Sequence, residues 1–249
     1  MTLYLADASA VEYWRRADPS AKNRARAATP FGQDRETPPF SASDLAALEE
    51  AGVGWLSEPI HLLVPDASSR RRCKRTKLHV CSHRLPERSF VKLSRHVMVA
   101  SPELTCLSIA PSTPFPLLVE FLYELCGRYR LPDGRGGDAT ELPPATTVAG
   151  IERFADKARG VRGAADVKRA LRYACDNSLS PMETDIAETM VFDPRMGGFG
   201  LEKPQLNPRF EVTRKNRRAL PQSAYLPDLF WLRANISVEY DSDKHHRGD

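Results

Sequence analysis

Apolar positions along this chain follow two rhythms, and the rhythm changes near residue 131. Before that point, short apolar runs of strand type alternate with stretches whose apolar residues fall three or four apart. Residues 2–6, the run Ile60-His-Leu-Leu-Val64, and residues 77–82 and 94–100 predict four strands. Ser9-Ala-Val-Glu12 has capping-box spacing and predicts the start of a short helix carrying Val11, Tyr13 and Trp14. A second helix is expected from Ser43 through Ala51. Ser101-Pro-Glu-Leu104 opens a third, with Ser as the cap and Pro in the first turn. A fourth is expected over residues 116–128.

Residues 131–146 hold three prolines and three glycines and form the best linker candidate. Beyond them, helices are expected over 147–158 and 163–175, and from Ser180-Pro-Met-Glu183 to Phe192. Gly197-Gly-Phe-Gly200 ends the last of these. It lacks the Lys-Ser/Thr of a phosphate loop. Three strands follow, over 208–214, 224–232 and 236–241. The pattern predicts an α/β (α+β) chain in two parts: a mixed domain over 1–145, and a helical lead-in with a β-rich end over 146–249.

Composition narrows the class. A chain of 249 residues holds one large domain or two small ones. The net charge of +4 permits a nucleic-acid partner without requiring one. Five cysteines at irregular spacing do not outline a disulfide framework. No apolar window approaches the length of a membrane span, and no basic flank precedes an apolar start, so a cytoplasmic protein with no membrane partner is expected.

The densest chemistry lies near the C-terminus. Asp228 sits inside Leu-Pro-Asp-Leu-Phe-Trp-Leu, and Glu239 and Asp241 sit inside Ile-Ser-Val-Glu-Tyr-Asp. A carboxylate in a half-buried strand costs free energy unless something pairs with it. Residues two apart share a strand face, so a hairpin would bring Asp228 toward Glu239 and Asp241. Hard oxygen donors of this kind suit Mg²⁺ or Mn²⁺. His246 is placed to move a proton. Charge that protects a sheet edge from aggregation is the alternative, and Glu183 has the spacing of an ordinary capping-box residue.

Pro227-Asp228, ten residues, and then Glu239-x-Asp241 with a trailing His246 resemble the very-short-patch-repair-like branch of the PD-(D/E)xK restriction-endonuclease superfamily. The resemblance covers residues 180–249. It implies a partial αβββ core in which Glu183 is the helix acid, Asp228, Glu239 and Asp241 hold the metal, and His246 completes the site. It further implies an endodeoxyribonuclease tied to phage defence or DNA repair. Asp241 stands where most of the superfamily carries lysine. The helix, strand and helix that follow the histidine in that branch have no counterpart before Asp249, so a C-terminally truncated domain is expected.

Ser9-Ala-Val-Glu-Tyr-Trp, Ile60-His-Leu-Leu-Val-Pro, His79-Val and Val99-Ala-Ser-Pro-Glu-Leu104 resemble, in order, the AbiEi abortive-infection antitoxin family of type IV toxin–antitoxin loci. This implies, as the other reading, a non-catalytic regulator that binds DNA or a toxin–antitoxin partner.

Two basic runs and one mixed cluster complete the candidates. Arg214, Lys215, Arg217 and Arg218 lie between two predicted strands, where they would hold DNA beside the carboxylates. Residues 70–77 carry six basic side chains in eight and would track a phosphate backbone or form a solvated loop. His79, Cys81 and His83 share a strand face with Cys73 near, but lack paired zinc-ligand spacing.

Overall fold

A computed structural model describes residues 2–19, 26–27, 31, 40–66, 73–132, 138–212 and 223–241. The first part is built from β1 (Leu3–Leu5), α1 (Asp7–Arg16), β2 (Arg26–Ala27), α2 (Ala42–Glu50), β3 (Ile60–Val64), β4 (Thr76–Val80), β5 (Phe90–Lys92), β6 (Val97–Ala100), α3 (Pro102–Ile109) and α4 (Phe115–Cys126). The chain continues through β7 (Tyr129–Arg130), β8 (Thr140–Glu141), α5 (Val148–Lys157), α6 (Ala164–Ala170), α7 (Pro181–Val191), β9 (Gln205–Leu206), β10 (Phe210–Glu211), β11 (Ala224–Tyr225), β12 (Leu229–Trp231) and β13 (Ile236–Val238).

Six strands form one mixed sheet in the order β2-β5-β6-β1-β3-β4. β1 lies parallel to β6 and antiparallel to β3, and β3 runs parallel to β4. Every residue of β3 and β6 is buried, as expected of strands covered on both faces. The chain is therefore an α/β protein. α1 is clamped to the sheet where Trp14 Nε1 donates to the Ala100 carbonyl at 2.9 Å. At the start of α3, Ser101 Oγ accepts from Leu104 N and Pro102 occupies the first turn, as its sequence predicts.

The helices beyond residue 146 pack on α3 and α4. Tyr123 Oη donates to the Tyr173 carbonyl at 2.9 Å, and the Tyr129 and Thr184 hydroxyls meet at 2.9 Å. Ile151, Val167 and Ala170 are fully buried in the same apolar cluster as Leu107 and Leu122. Gly163, at φ 90°, begins α6, and a Cβ there would lie 2.0 Å from the Leu107 carbonyl oxygen. Only a residue without a side chain allows that approach.

Several sequence expectations shift. The helix read from Ser9 starts at Asp7, and Ser9 Oγ instead accepts from His61 N at 2.9 Å. Glu12 does not close a box, because its carboxylate accepts from the backbone and hydroxyl of Ser57. A capping box occurs at α2, between Ser41 and Asp44. The linker candidate contributes β8, which pairs with β7 just ahead of it. The helix expected over 163–175 stops at Ala170, and the strand expected over 224–232 is split into β11 and β12 around Pro227 and Asp228. Among the described residues no helix is long and apolar enough to cross a membrane. All five cysteines are free thiols.

Candidate functional site

The expected hairpin forms between β12 and β13, but both strands are shorter than their sequence suggests, and Asp228, Glu239 and Asp241 fall outside them. β12 pairs antiparallel with β13 in the register Leu229↔Val238, Phe230↔Ser237 and Trp231↔Ile236. The paired register ends at Leu229↔Val238, and Asp228 and Glu239 are the next residues beyond that pair. Leu229 and Trp231 are buried on the core side. The same alternation carried one residue further would turn Asp228 and Glu239 to the other face, with Phe230 and Ser237. β9 extends the sheet on the far side of β12, with Leu206 opposite Leu229. Trp231 Nε1 anchors the strand by donating to the Glu202 carbonyl at 2.7 Å.

The two acids have defined partners. Asp228 is half-buried, and its Oδ2 accepts from Tyr240 N at 2.6 Å. Exposed Glu239 accepts from the Tyr225 hydroxyl. That hydrogen bond is the main force raising the Tyr225 pKa above its usual 10, and the nearby charges of Glu239 and Asp228 push the same way. Asp241 lies two residues further along the chain and is exposed.

Glu183 is buried in the first turn of α7. Its Oε1 accepts from Ser180 Oγ at 3.0 Å, and Ser180 Oγ accepts from Glu183 N at 3.2 Å. Its Oε2 takes Leu179 N at 3.0 Å and the Asn207 side-chain amide at 2.7 Å. Asn207 N in turn donates to the Asp228 carbonyl at 2.9 Å. Glu183 thus supports the Ser180 cap of α7 and is also tied, through Asn207, to Asp228 just ahead of β12. His246, Arg214, Lys215, Arg217 and Arg218 lie outside the described residues, as do residues 70–72.

A second cluster escaped the sequence reading. Asp7 Oδ1 lies 3.0 Å from His61 Nδ1, and His61 Nδ1 lies 3.1 Å from His79 Nε2. Asp7 Oδ2 lies 3.7 Å from His79 Nδ1. Burial opposes the Asp7 charge. The His61 hydrogen bond, the charge of His79 and the Ala8 N–H outweigh it and hold the carboxyl below its ordinary 3.8. Among the described residues this is the only group of three His, Cys, Asp or Glu side chains whose ligand atoms all fall within 4.8 Å. The hairpin acids do not gather so closely as a trio. His79 pairs with Asp7 and His61 instead of joining Cys81 and His83. The signal for this was present but faint: an aspartate directly after a strand, and a histidine inside an apolar run.

No family model matches the chain, and neither does any curated protein or any solved structure. The fold class and the local geometry are what remain to argue function from.

Proposed function

We propose that the chain is a metal-dependent endodeoxyribonuclease of restriction-endonuclease type, with its acidic site on the β12–β13 hairpin. The observation that supports this reading is the Leu229↔Val238 pair, which brings Asp228 and Glu239 to adjoining ends of β12 and β13. Opposed carboxylates repel each other without a cation. The donor set fits Mg²⁺ or Mn²⁺, since Mg²⁺ is commonly bound through one or two carboxylates while keeping several waters. Asp228 and Glu239 would hold the ion, with Asp241 and His246 following along the chain. When bound, such an ion polarises a phosphoryl oxygen and acidifies a water.

The protein's own groups position these acids. The Tyr240 N–H fixes one oxygen of Asp228, and the Tyr225 hydroxyl fixes one oxygen of Glu239. Glu183, through Asn207, holds the start of β12 against the N-terminus of α7. Arg214, Lys215, Arg217 and Arg218 supply positive charge between β10 and β11, where DNA phosphates would be drawn. DNA as substrate, the cytoplasm as location and a role in phage defence or repair belong to this same reading.

Conversion of supercoiled plasmid to nicked circles, with Mg²⁺ or Mn²⁺ and without either, tests it. Asp228→Asn and Glu239→Gln should each lower the rate by about 100-fold or more. Cleavage that proceeds equally in both variants, or none by the wild type with either ion, would remove these residues from catalysis.

A further inference from the structure

We propose that Asp7, His61 and His79 form a three-ligand site for a divalent transition ion, with Zn²⁺ as the best-suited occupant. The three residues come from the first position of α1 and from two adjacent parallel strands. The register sets His61 across from Lys77 and His79 across from Leu63, so the two histidines are diagonal neighbours on one face of the sheet. Asp7 reaches them from a left-handed backbone, φ 50°, at the junction of β1 and α1. That conformation costs an L residue about 1–2 kcal/mol, and Asp is among the few that adopt it.

The spacing of the heteroatoms fits such an ion. Nitrogen and oxygen ligands at about 2.0–2.2 Å from zinc lie roughly 3.0–3.5 Å from one another. The Asp7–His61 and His61–His79 separations, 3.0 and 3.1 Å, fall in that range. The hydrogens available at His61 point the same way. His61 Nδ1 faces a carboxylate oxygen and a ring nitrogen together, but an imidazole nitrogen carries one hydrogen or one lone pair. If His61 Nδ1 is protonated, a single hydrogen is shared between two acceptors. If it is not, its lone pair opposes that of Asp7. A cation between the three groups removes the conflict, because every one of them then presents a lone pair to it.

The cluster is also open to a ligand on one side. A cavity of about 600 Å³ is bordered by Asp7 and His79 and lined further by Lys77, Cys81, His83 and Arg162. Three protein ligands with an open side match zinc sites that keep a water or substrate in the fourth position. Two imidazoles and a carboxylate favour zinc and its neighbours over Mg²⁺. The site is therefore chemically distinct from the hairpin acids, and its fate is independent of the nuclease reading.

The test is zinc titration of the chelator-stripped full chain by calorimetry, with cobalt(II) as a spectroscopic probe. One tight zinc equivalent is expected in the wild type. His61→Asn and His79→Gln should each weaken it by on the order of 100-fold, since loss of even an outer partner costs 10–100-fold. Cys81→Ser and the double change His245→Gln, His246→Gln should leave it intact. Absence of binding, unchanged binding in both His61→Asn and His79→Gln, or loss only in the cysteine or terminal-histidine variants overturns the proposal. Circular dichroism of the metal-free variants checks folding. If a histidine variant unfolds, the wild-type cobalt spectrum decides: nitrogen and oxygen ligation without a thiolate charge-transfer band supports the site, and a thiolate band rejects it.

Discussion

The Asn207 side-chain amide donates to Glu183 Oε2 at 2.7 Å, and this bond fastens the carboxylate hairpin to the helical layer. Asn207 adopts φ 49°, a left-handed conformation that Asn tolerates better than most residues. Its backbone N–H simultaneously donates to the Asp228 carbonyl. Asn207→Ala leaves one oxygen of a buried carboxylate short of a donor and places a less tolerant residue at positive φ. A loss of about 1–3 kcal/mol is expected in urea denaturation. The nuclease reading adds a fall in nicking rate beyond what the stability loss explains. An unchanged denaturation midpoint would show that the bond does not hold the hairpin.

Glu188 makes stability depend on pH in the opposite sense from an ordinary carboxylate. Burial first, then the charges of Glu120 and Asp185, push its pKa up from 4.5 to about 8. Its Oε1 is shielded from solvent and has no hydrogen-bond partner among the described residues. The folded protein therefore binds this proton more tightly than the unfolded chain does. Stability should fall as pH rises from 4.5 toward 8 and level off above that. Glu188→Gln removes the charge. It should raise the melting temperature above pH 8, by an amount worth about 1–3 kcal/mol, and change little near 4.5. A constant difference across that range would assign the effect to packing.

Gly163 is a sharper test of how α6 meets α3. A methyl group at this position would sit 2.0 Å from the Leu107 carbonyl oxygen, and the residue is at φ 90°. The obstacle is backbone, which cannot swing aside as the end of a side chain can. Gly163→Ala should cost about 2–4 kcal/mol, combining left-handed strain with displacement of the helix. Thermal denaturation measures it. A loss below about 0.5 kcal/mol, the usual range of surface substitutions, would mean that α6 does not rest on α3 in this way.

The sequence was most informative where a single local rule acts. Ser101-Pro102 and Ser180-Pro181 mark the starts of α3 and α7 because a cap and a pre-set φ are properties of neighbouring residues. The run 60–64 declares a buried strand because all five positions are buried, with both faces of the strand covered. Local rules failed where a distant partner competed. Ser9 has the spacing of a cap, yet its hydroxyl serves the His61 backbone, 52 residues away, and Glu12 serves Ser57. β5 was missed because a three-residue strand gives too short a period to recognise.

The same contrast divides the two candidate sites. The pairing of β12 with β13 could be read from the sequence because a hairpin is local. Asp7, His61 and His79 are 54 and 18 residues apart and meet only because β1, β3 and β4 are neighbours in the sheet. No spacing rule within one segment predicts that order.

Asp7 supplies the final prediction, made in metal-free, chelated buffer so that ion binding plays no part. Its carboxyl lies below the ordinary 3.8: burial works against ionisation, but the His61 hydrogen bond, His79 and the Ala8 N–H prevail. A lowered folded-state value means that the unfolded chain binds the proton more readily as pH falls. The stabilisation is therefore complete above 3.8 and disappears as pH drops through the depressed folded value. Asp7→Asn keeps the shape and an oxygen for Ala8 N–H but abolishes the charge. It should lower stability by about 1–3 kcal/mol well above 3.8, and the gap to the wild type should close in acid. Melting temperatures of both proteins across the acid range measure this. A gap that stays constant, or widens as pH falls, would mean that the Asp7 charge does not contribute to folding through the two histidines.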